Sequence, residues 1–276
     1  MLTKIQKANA KINIYLQVLN KNKDNYHNIN SLFYPIPLYD EITISNSQSL
    51  ELHCNNNLNI NNKDNLIYKA AVIIQKYVLE KFNKTITPKI ELNKNIPIGA
   101  GLGGGSSDAA NTLLALNQYY ELNLEFNTLH NMAISLGSDV PFFLYNKPAL
   151  ISGRGEIIKP IDYTINSYLL LVFPNINIST AIAYKMLNRN ENYQTSLIQP
   201  SNIIKDILFN DFEETVFKMY PELYTLKIKL NKLSNNKALM SGSGSSFFAF
   251  FDTEAELHQA KTEMDNLNYF TFTCKL

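Results

Sequence analysis

The segment PIGAGLGGGSSDAA, residues 97–110, leads five glycines and two serines straight into a run with helical spacing at Ala109, Leu113 and Leu116. Glycine tolerates positive φ and lets backbone come close to a ligand. A helix start adds N–H groups that lack an intrahelical acceptor and lie at the positive end of the helix dipole. Together these make an anion cradle suited to phosphate. A flexible Gly-rich linker or turn is the plain alternative, and the helix that begins at once weighs against it. No G-x-x-x-x-G-K-[ST] occurs, so a Walker A loop is excluded. Gly99, Gly101 and Gly104 fit G-x-G-x-x-G, but Lys94, Asn95, Ile96 and Pro97 separate them from the preceding strand, which a dinucleotide-binding turn would not favour. V-A-I-K, H-R-D-L-x-x-x-N and D-F-G are missing, so the protein-kinase signature set is absent.

A second set of polar groups lies near the start of the chain. Ile12, Ile14, Leu16 and Val18 fall on one face of an alternating strand, and Lys11, Asn13, Tyr15 and Gln17 on the other, so a lysine and an asparagine leave the sheet in the same direction. His27, His53, His130 and His258 are dispersed, and Cys54 and Cys274 stand far apart outside any C-x-x-C. Neither a structural metal site nor a disulfide framework is indicated, and a reducing cytoplasm is the expected compartment. Lys plus Arg (25) nearly balance Asp plus Glu (24), which leaves no global field to hold nucleic acid or an anionic membrane. Any phosphate must be held locally. The first residues alternate polar and apolar and read as a strand, not a signal peptide, and no apolar run approaches a membrane span.

At 276 residues the chain predicts two domains or one large one. Alternating stretches over 32–36, 41–45 and 50–54 suggest an antiparallel meander, followed by an Asn-rich loop over 55–62. Asp64 and Asn65 are good N-caps for an amphipathic helix carrying Leu66, Ala70, Ile73, Ile74, Tyr77 and Val78. A strand follows over 86–92, then helices over 106–120 and 127–136, the latter ended by Gly137. Beyond them the spacing predicts a buried strand over 168–173, helices over 180–187 and 221–233, and strands over 247–251 and 269–274. Thr253 and Glu256 have the spacing of a capping box. Mixed strands and helices of this kind argue α+β in both halves.

The Gly-rich segment resembles the phosphate loop of the GHMP kinases, the group that holds galactokinase, homoserine kinase, mevalonate kinase and phosphomevalonate kinase. It is most similar to the diphosphocytidyl-methylerythritol kinases among them. Three further segments agree in order and spacing: KANAKINIYL (7–16), NYHNINSLF (25–33) and LGSDVPFFL (136–144). A fourth, MSGSGSSFFAFF (240–251), is similar to the group's Gly-rich C-terminal motif. The resemblance covers nearly the whole chain. It implies a two-domain α+β GHMP kinase fold with the active site between the domains. The N-terminal domain, residues 1–160, would be of the ribosomal protein S5 domain 2-like type, and residues 161–276 would form a ferredoxin-like domain.

The same resemblance implies residue roles. Lys11 and Asp139 are the catalytic pair, the carboxylate taking the proton of an attacking alcohol and the ammonium stabilising the developing charge. ATP phosphates rest on Pro97, Gly99, Gly101, Gly103, Gly104, Gly105, Ser106 and Ser107, and Asn65 and Lys94 contact the nucleotide. Alone, Asn65 would read as a helix cap and Lys94 as an exposed side chain. Magnesium is expected with ATP, and Ser106 or Ser107 can supply a hydroxyl to it. Asn13, Tyr26, His27 and Phe33 lie on the substrate side, the last three at the end of a small molecule that carries a cytidine diphosphate group. Asn25 replaces a glycine that the family usually has. A mevalonate, phosphomevalonate or homoserine kinase is the rival reading, with the same fold and base but no nucleobase pocket.

Overall fold

The computed structural model describes residues 5–22, 26–55, 64–187 and 204–276. Asn25 and, apart from Asn55, the Asn-rich loop fall outside these residues. In chain order come β1 (Ile5–Lys21), β2 (His27–Asn46), β3 (Glu51–Cys54), α1 (Leu66–Phe82), β4 (Pro88–Asn93), α2 (Gly104–Tyr119), α3 (Phe126–Leu136) and α4 (Phe142–Tyr145). They continue with β5 (Ala149–Ser152), β6 (Ile157–Pro160), β7 (Tyr168–Phe173), α5 (Thr180–Leu187), α6 (Ile204–Ile207) and β8 (Phe209–Asn210). The chain ends in α7 (Phe212–Met219), α8 (Pro221–Leu233), β9 (Ala238–Met240), β10 (Phe247–Phe251), α9 (Glu254–Asp265) and β11 (Phe270–Lys275). No helix among the described residues is long and apolar enough to cross a membrane.

The chain divides into two compact units, and β1 and β2 are long enough to contribute to both. In the first unit β4 runs antiparallel to the later part of β2, from Glu41↔Asn93 to Asn46↔Pro88, and β3 runs parallel to β4. α1 buries Ile67, Ala70, Ala71, Ile74 and Val78, and α2 buries Ala109, Ala110, Leu113 and Leu116. The alanines let these two helices pack closely, and hydrophobic burial of this face holds them.

In the second unit β5 pairs antiparallel with β2 at residues 31–33, β6 continues from β5, and the short β8 pairs parallel with β1. A separate four-stranded sheet has the order β11-β7-β10-β9, all antiparallel. Counted along the chain that is fourth, first, third, second, the order of a ferredoxin-like βαββαβ unit. Its central strands read YLLLVF and FFAFF because both faces are covered. Thr253 and Glu256 form the expected reciprocal cap of α9, with the Glu256 N–H donating to Thr253 Oγ1 at 3.3 Å and the Thr253 N–H to Glu256 Oε2 at 3.1 Å.

The meander is corrected. Residues 32–36 and 41–45 belong to one strand, and β3 joins β4 in parallel instead of pairing with β2. The misreading comes from Pro35 and Pro37, which suggest a break. Both fall between the stretch of β2 paired to β5 and the stretch paired to β4. Gly137 does close α3, but its φ of 164° is extended, so no left-handed cap is involved.

Candidate active site

β1 brings Lys11 and Asn13 to one face, as its alternation requires, and both are buried. Lys11 Nζ donates to Asn13 Oδ1 at 2.6 Å and to the Gly101 carbonyl at 3.4 Å, and it sits 4.5 Å from the centroid of the Phe33 ring. Asn13 Nδ2 donates onward to Ser31 Oγ at 3.1 Å. The Lys11 backbone N–H donates to the Leu102 carbonyl at 3.0 Å, tying β1 to the Gly-rich loop. A buried ammonium is tolerated here because an amide oxygen, a carbonyl and an aromatic face replace its water.

The loop residues in the same unit have the backbone that the glycines foretell. Gly99 and Gly101 have φ of 66° and 77°. A Cβ on Gly101 would stand 2.1 Å from the Ser241 carbonyl oxygen, so no other residue fits. Ser241 Oγ donates to the Gly101 carbonyl at 3.0 Å, and the Ser246 N–H donates to the Ala100 carbonyl at 3.2 Å. The β9–β10 turn is thus the floor on which the first part of the loop rests. Pro97 precedes it and is half-buried.

In the first unit Gly103, with φ of 70°, is the N-cap of α2 and offers no side-chain cap. The first intrahelical bond runs from the Ser107 N–H to the Gly103 carbonyl at 2.9 Å, which leaves the N–H groups of Gly104, Gly105 and Ser106 without an intrahelical acceptor. A polyanion fits this cradle on charge and on hydrogen bonding. Of the two serines, Ser107 is buried and its Oγ accepts from Asn111, whereas Ser106 is half-buried. No group of three or more His, Cys, Asp or Glu side chains among the described residues could hold a metal ion. Asp139 is half-buried in the turn between α3 and α4. Asn65 caps α1, its Oδ1 accepting from the Ile67 N–H at 2.9 Å.

Lys94 is not an exposed side chain. Its ammonium lies between Asp40 and Asp108, 2.8 Å from Asp108 Oδ2, with 7% of the side chain exposed. Asp40 Oδ1 also accepts the N–H groups of Asn95 and Ile96 at 2.6 and 2.8 Å. A Cβ on Gly104 would meet Lys94 Nζ at 3.0 Å, so this ion cluster lies under the start of α2. Burial pushes the Asp108 carboxyl up to about 8, with Lys94 opposing the rise and Asp40 adding to it. Asp40 and Asp108 were not foreseen, although a signal exists. Asp40 shares a strand face with Leu38, Ile42 and Ile44, and a carboxylate in an apolar row must be buried and paired. Asp40→Ala is expected to lower stability by about 3 kcal/mol, measured by urea unfolding, because it strands two backbone donors and half of the Lys94 pairing.

The three residues assigned to the cytidine end have different side-chain partners. Tyr26 is exposed, with the Arg154 guanidinium 5.1 Å from its ring centroid, and His27 stacks on Tyr184 with centroids 5.3 Å apart. Phe33 is buried against Lys11, six residues further along β2, which is roughly 20 Å in an extended strand. Phe33 packs on the lysine, and Tyr184, which no motif had singled out, stacks on His27.

Residues 65–147 match the GHMP kinases N terminal domain family, and residues 195–269 match the GHMP kinases C terminal family. The chain belongs to the GHMP kinases. The 4-diphosphocytidyl-2-C-methyl-D-erythritol kinase of Thermodesulfovibrio yellowstonii is 40% identical to it over 267 residues, 92% of each chain. The protein of the same name from Bacteroides fragilis is 39% identical over 279 residues, covering 97% of this chain and 98% of its own. Among solved structures, a 4-(cytidine 5'-diphospho)-2C-methyl-D-erythritol kinase superposes with a TM-score of 0.79 at 31% identity, over 99% of this chain and 100% of the other. A homoserine kinase from Cytophaga hutchinsonii, 17% identical with a TM-score of 0.72 over 98% of this chain and 92% of its own, shares the fold.

Proposed function

We propose that the protein transfers the γ-phosphoryl group of ATP to the 2-hydroxyl of 4-diphosphocytidyl-2-C-methyl-D-erythritol, in the non-mevalonate route to isoprenoid precursors. The observation that carries this reading is the 40% identity, over 92% of both chains, to a kinase named for that substrate. Asp139 accepts the hydroxyl proton, and Lys11 stabilises the incipient alkoxide. The N–H groups of Gly104, Gly105 and Ser106 bind and orient the phosphates at the head of α2. Magnesium, bound with the nucleotide, offsets phosphate charge, and Ser106 is the serine better placed to offer it a hydroxyl. Asn65 and Lys94 serve the nucleotide side, Lys94 through the ion cluster that seats the helix start. Tyr26, His27 and Phe33 take the cytidine end, and Asn13 lies on the substrate side beside Lys11. The cytoplasm is the compartment this reading assigns.

The test is ATP-dependent phosphorylation of the methylerythritol phosphate substrate with and without its cytidyl group. The cytidyl substrate is expected to be the better one by at least about a hundredfold in kcat/KM, since remote anchoring positions the reacting hydroxyl. Preference for mevalonate or homoserine would leave only the broader class.

A further inference from the structure

The turn that touches the Gly101 carbonyl is held by a segment that no motif had marked. β8 ends in Asn210, which is 5% exposed and lies opposite Leu16 in the parallel pairing with β1. Its Nδ2 donates to the Met240 carbonyl at 2.7 Å and to the Gly242 carbonyl at 2.8 Å, and its Oδ1 accepts from the Phe212 N–H at 2.9 Å. Every hydrogen-bonding direction of that amide except one acceptor lone pair is used, so its orientation is determined by its partners. The neighbours fasten both ends. The Asp211 N–H donates to the Leu16 carbonyl at 2.9 Å, and Asp211 Oδ2 accepts from the Val18 N–H at 2.7 Å. Glu213 Oε1 accepts from the Met240 N–H at 2.9 Å.

What Asn210 holds is the turn that touches the phosphate loop. Gly242, with φ of 58°, lies so close to Gly101 that a Cβ on it would be 3.0 Å from the Gly101 oxygen and 3.3 Å from the Gly101 Cα. One residue earlier, Ser241 Oγ donates to that same oxygen, as does Lys11 Nζ. We propose that Asn210 is a positioning residue for phosphoryl transfer: by holding the 240–242 backbone against Gly101, it sets where the carbonyl shared by Ser241 and Lys11 stands, and so where the ammonium is presented. The inference rests on the kinase reading and on the role of Lys11 in it. A buried amide that satisfies two carbonyls can also be purely a folding element, and the experiment must separate the two.

Asn210→Asp keeps the shape and the acceptor for Phe212 but turns a carboxylate toward two carbonyl oxygens. It is compared with Leu230→Ala, a core truncation in α8 of the same unit. Both are assayed well below their melting temperatures. Asn210→Asp is expected to lower kcat by roughly 10- to 100-fold, with KM for the alcohol substrate changed less than about threefold, since misplacing a catalytic group acts on the transition state. Leu230→Ala should keep kcat near wild type at a similar loss in melting temperature. The ratio of Asn210→Asp to wild-type kcat should also rise as pH falls, because the protonated carboxyl regains one donor and its buried site favours that form. If the two variants lose kcat equally, or if the ratio is flat with pH, Asn210 is only structural. Should Asn210→Asp fail to fold, Ser241→Ala decides: a kcat loss of roughly tenfold with KM held supports the shared carbonyl as the anchor of Lys11, and unchanged kcat overturns it. If the wild type prefers another alcohol, the substrate reading fails, and the same kcat ratios measured on that alcohol still decide the role of Asn210.

Discussion

Replacing Asp139 by asparagine is expected to lower turnover by roughly two to four orders of magnitude, with ATP affinity and melting temperature close to those of the wild type. Other groups hold much of the turn that carries Asp139. The Val140 N–H donates to the Gly137 carbonyl at 3.2 Å, and the side chains of Val140 and Phe142 are fully buried on either side of Pro141. An amide has the size and shape of the carboxylate it replaces, so packing is preserved while basicity is lost. Single-turnover phosphorylation together with calorimetric ATP binding separates the two quantities, and near wild-type turnover would remove Asp139 from the mechanism. Lys11→Met should behave differently. Its turnover loss is of similar origin, but a measurable loss of stability accompanies it, because the ammonium is bonded to Asn13 and Gly101 inside the unit. A loss of folding with turnover per folded molecule intact would make Lys11 a structural lysine.

Much of the fold and the backbone of the Gly-rich loop were legible because each is written in short-range chemistry. Alternation along β1 gave the shared direction of Lys11 and Asn13, and the glycines of 99–105 announced positive φ at Gly99, Gly101 and Gly103. Helical spacing after Asn65 located α1, and its cap is made as expected. What was not legible depends on pairing across long separations. Asp40 meets Lys94 and Asp108 only once β2, β4 and α2 are assembled, and Asn210 meets Met240 and Gly242 only once β8 has joined β1. Phe33 illustrates the same limit within one motif. Six residues from His27 in sequence, it packs on Lys11 while His27 stacks on Tyr184, and neither partner belongs to that motif.

Gly101→Ala is expected to damage both folding and ATP use, and Gly105→Ala to damage at most the second. At Gly101 the added carbon would meet the Ser241 oxygen at 2.1 Å and the Gly244 oxygen at 3.0 Å, both backbone atoms that cannot rotate away. The left-handed backbone at φ 77° adds about 1 kcal/mol for any side chain. To relieve the clash the 241–244 turn must retreat, which breaks the bond from Ser241 Oγ and shifts the carbonyl that receives Lys11. A stability loss of about 3 kcal/mol, in the range of overpacked core sites, and a fall in kcat/KM for ATP of at least about a hundredfold are therefore expected. Gly105 offers the opposite case. It lies in the first turn of α2, and the nearest atom to its added carbon is Leu66 Cδ1 at 4.0 Å. Alanine there should raise stability by roughly 0.5–1 kcal/mol through helix propensity. Any loss of ATP affinity in that variant then reports on the approach of phosphate to the helix start and not on folding. Thermal unfolding with and without ATP measures both substitutions on one scale. A Gly101→Ala protein with wild-type melting and ATP kinetics would show that the 241–244 turn yields freely, and the shared carbonyl would lose its part in holding Lys11.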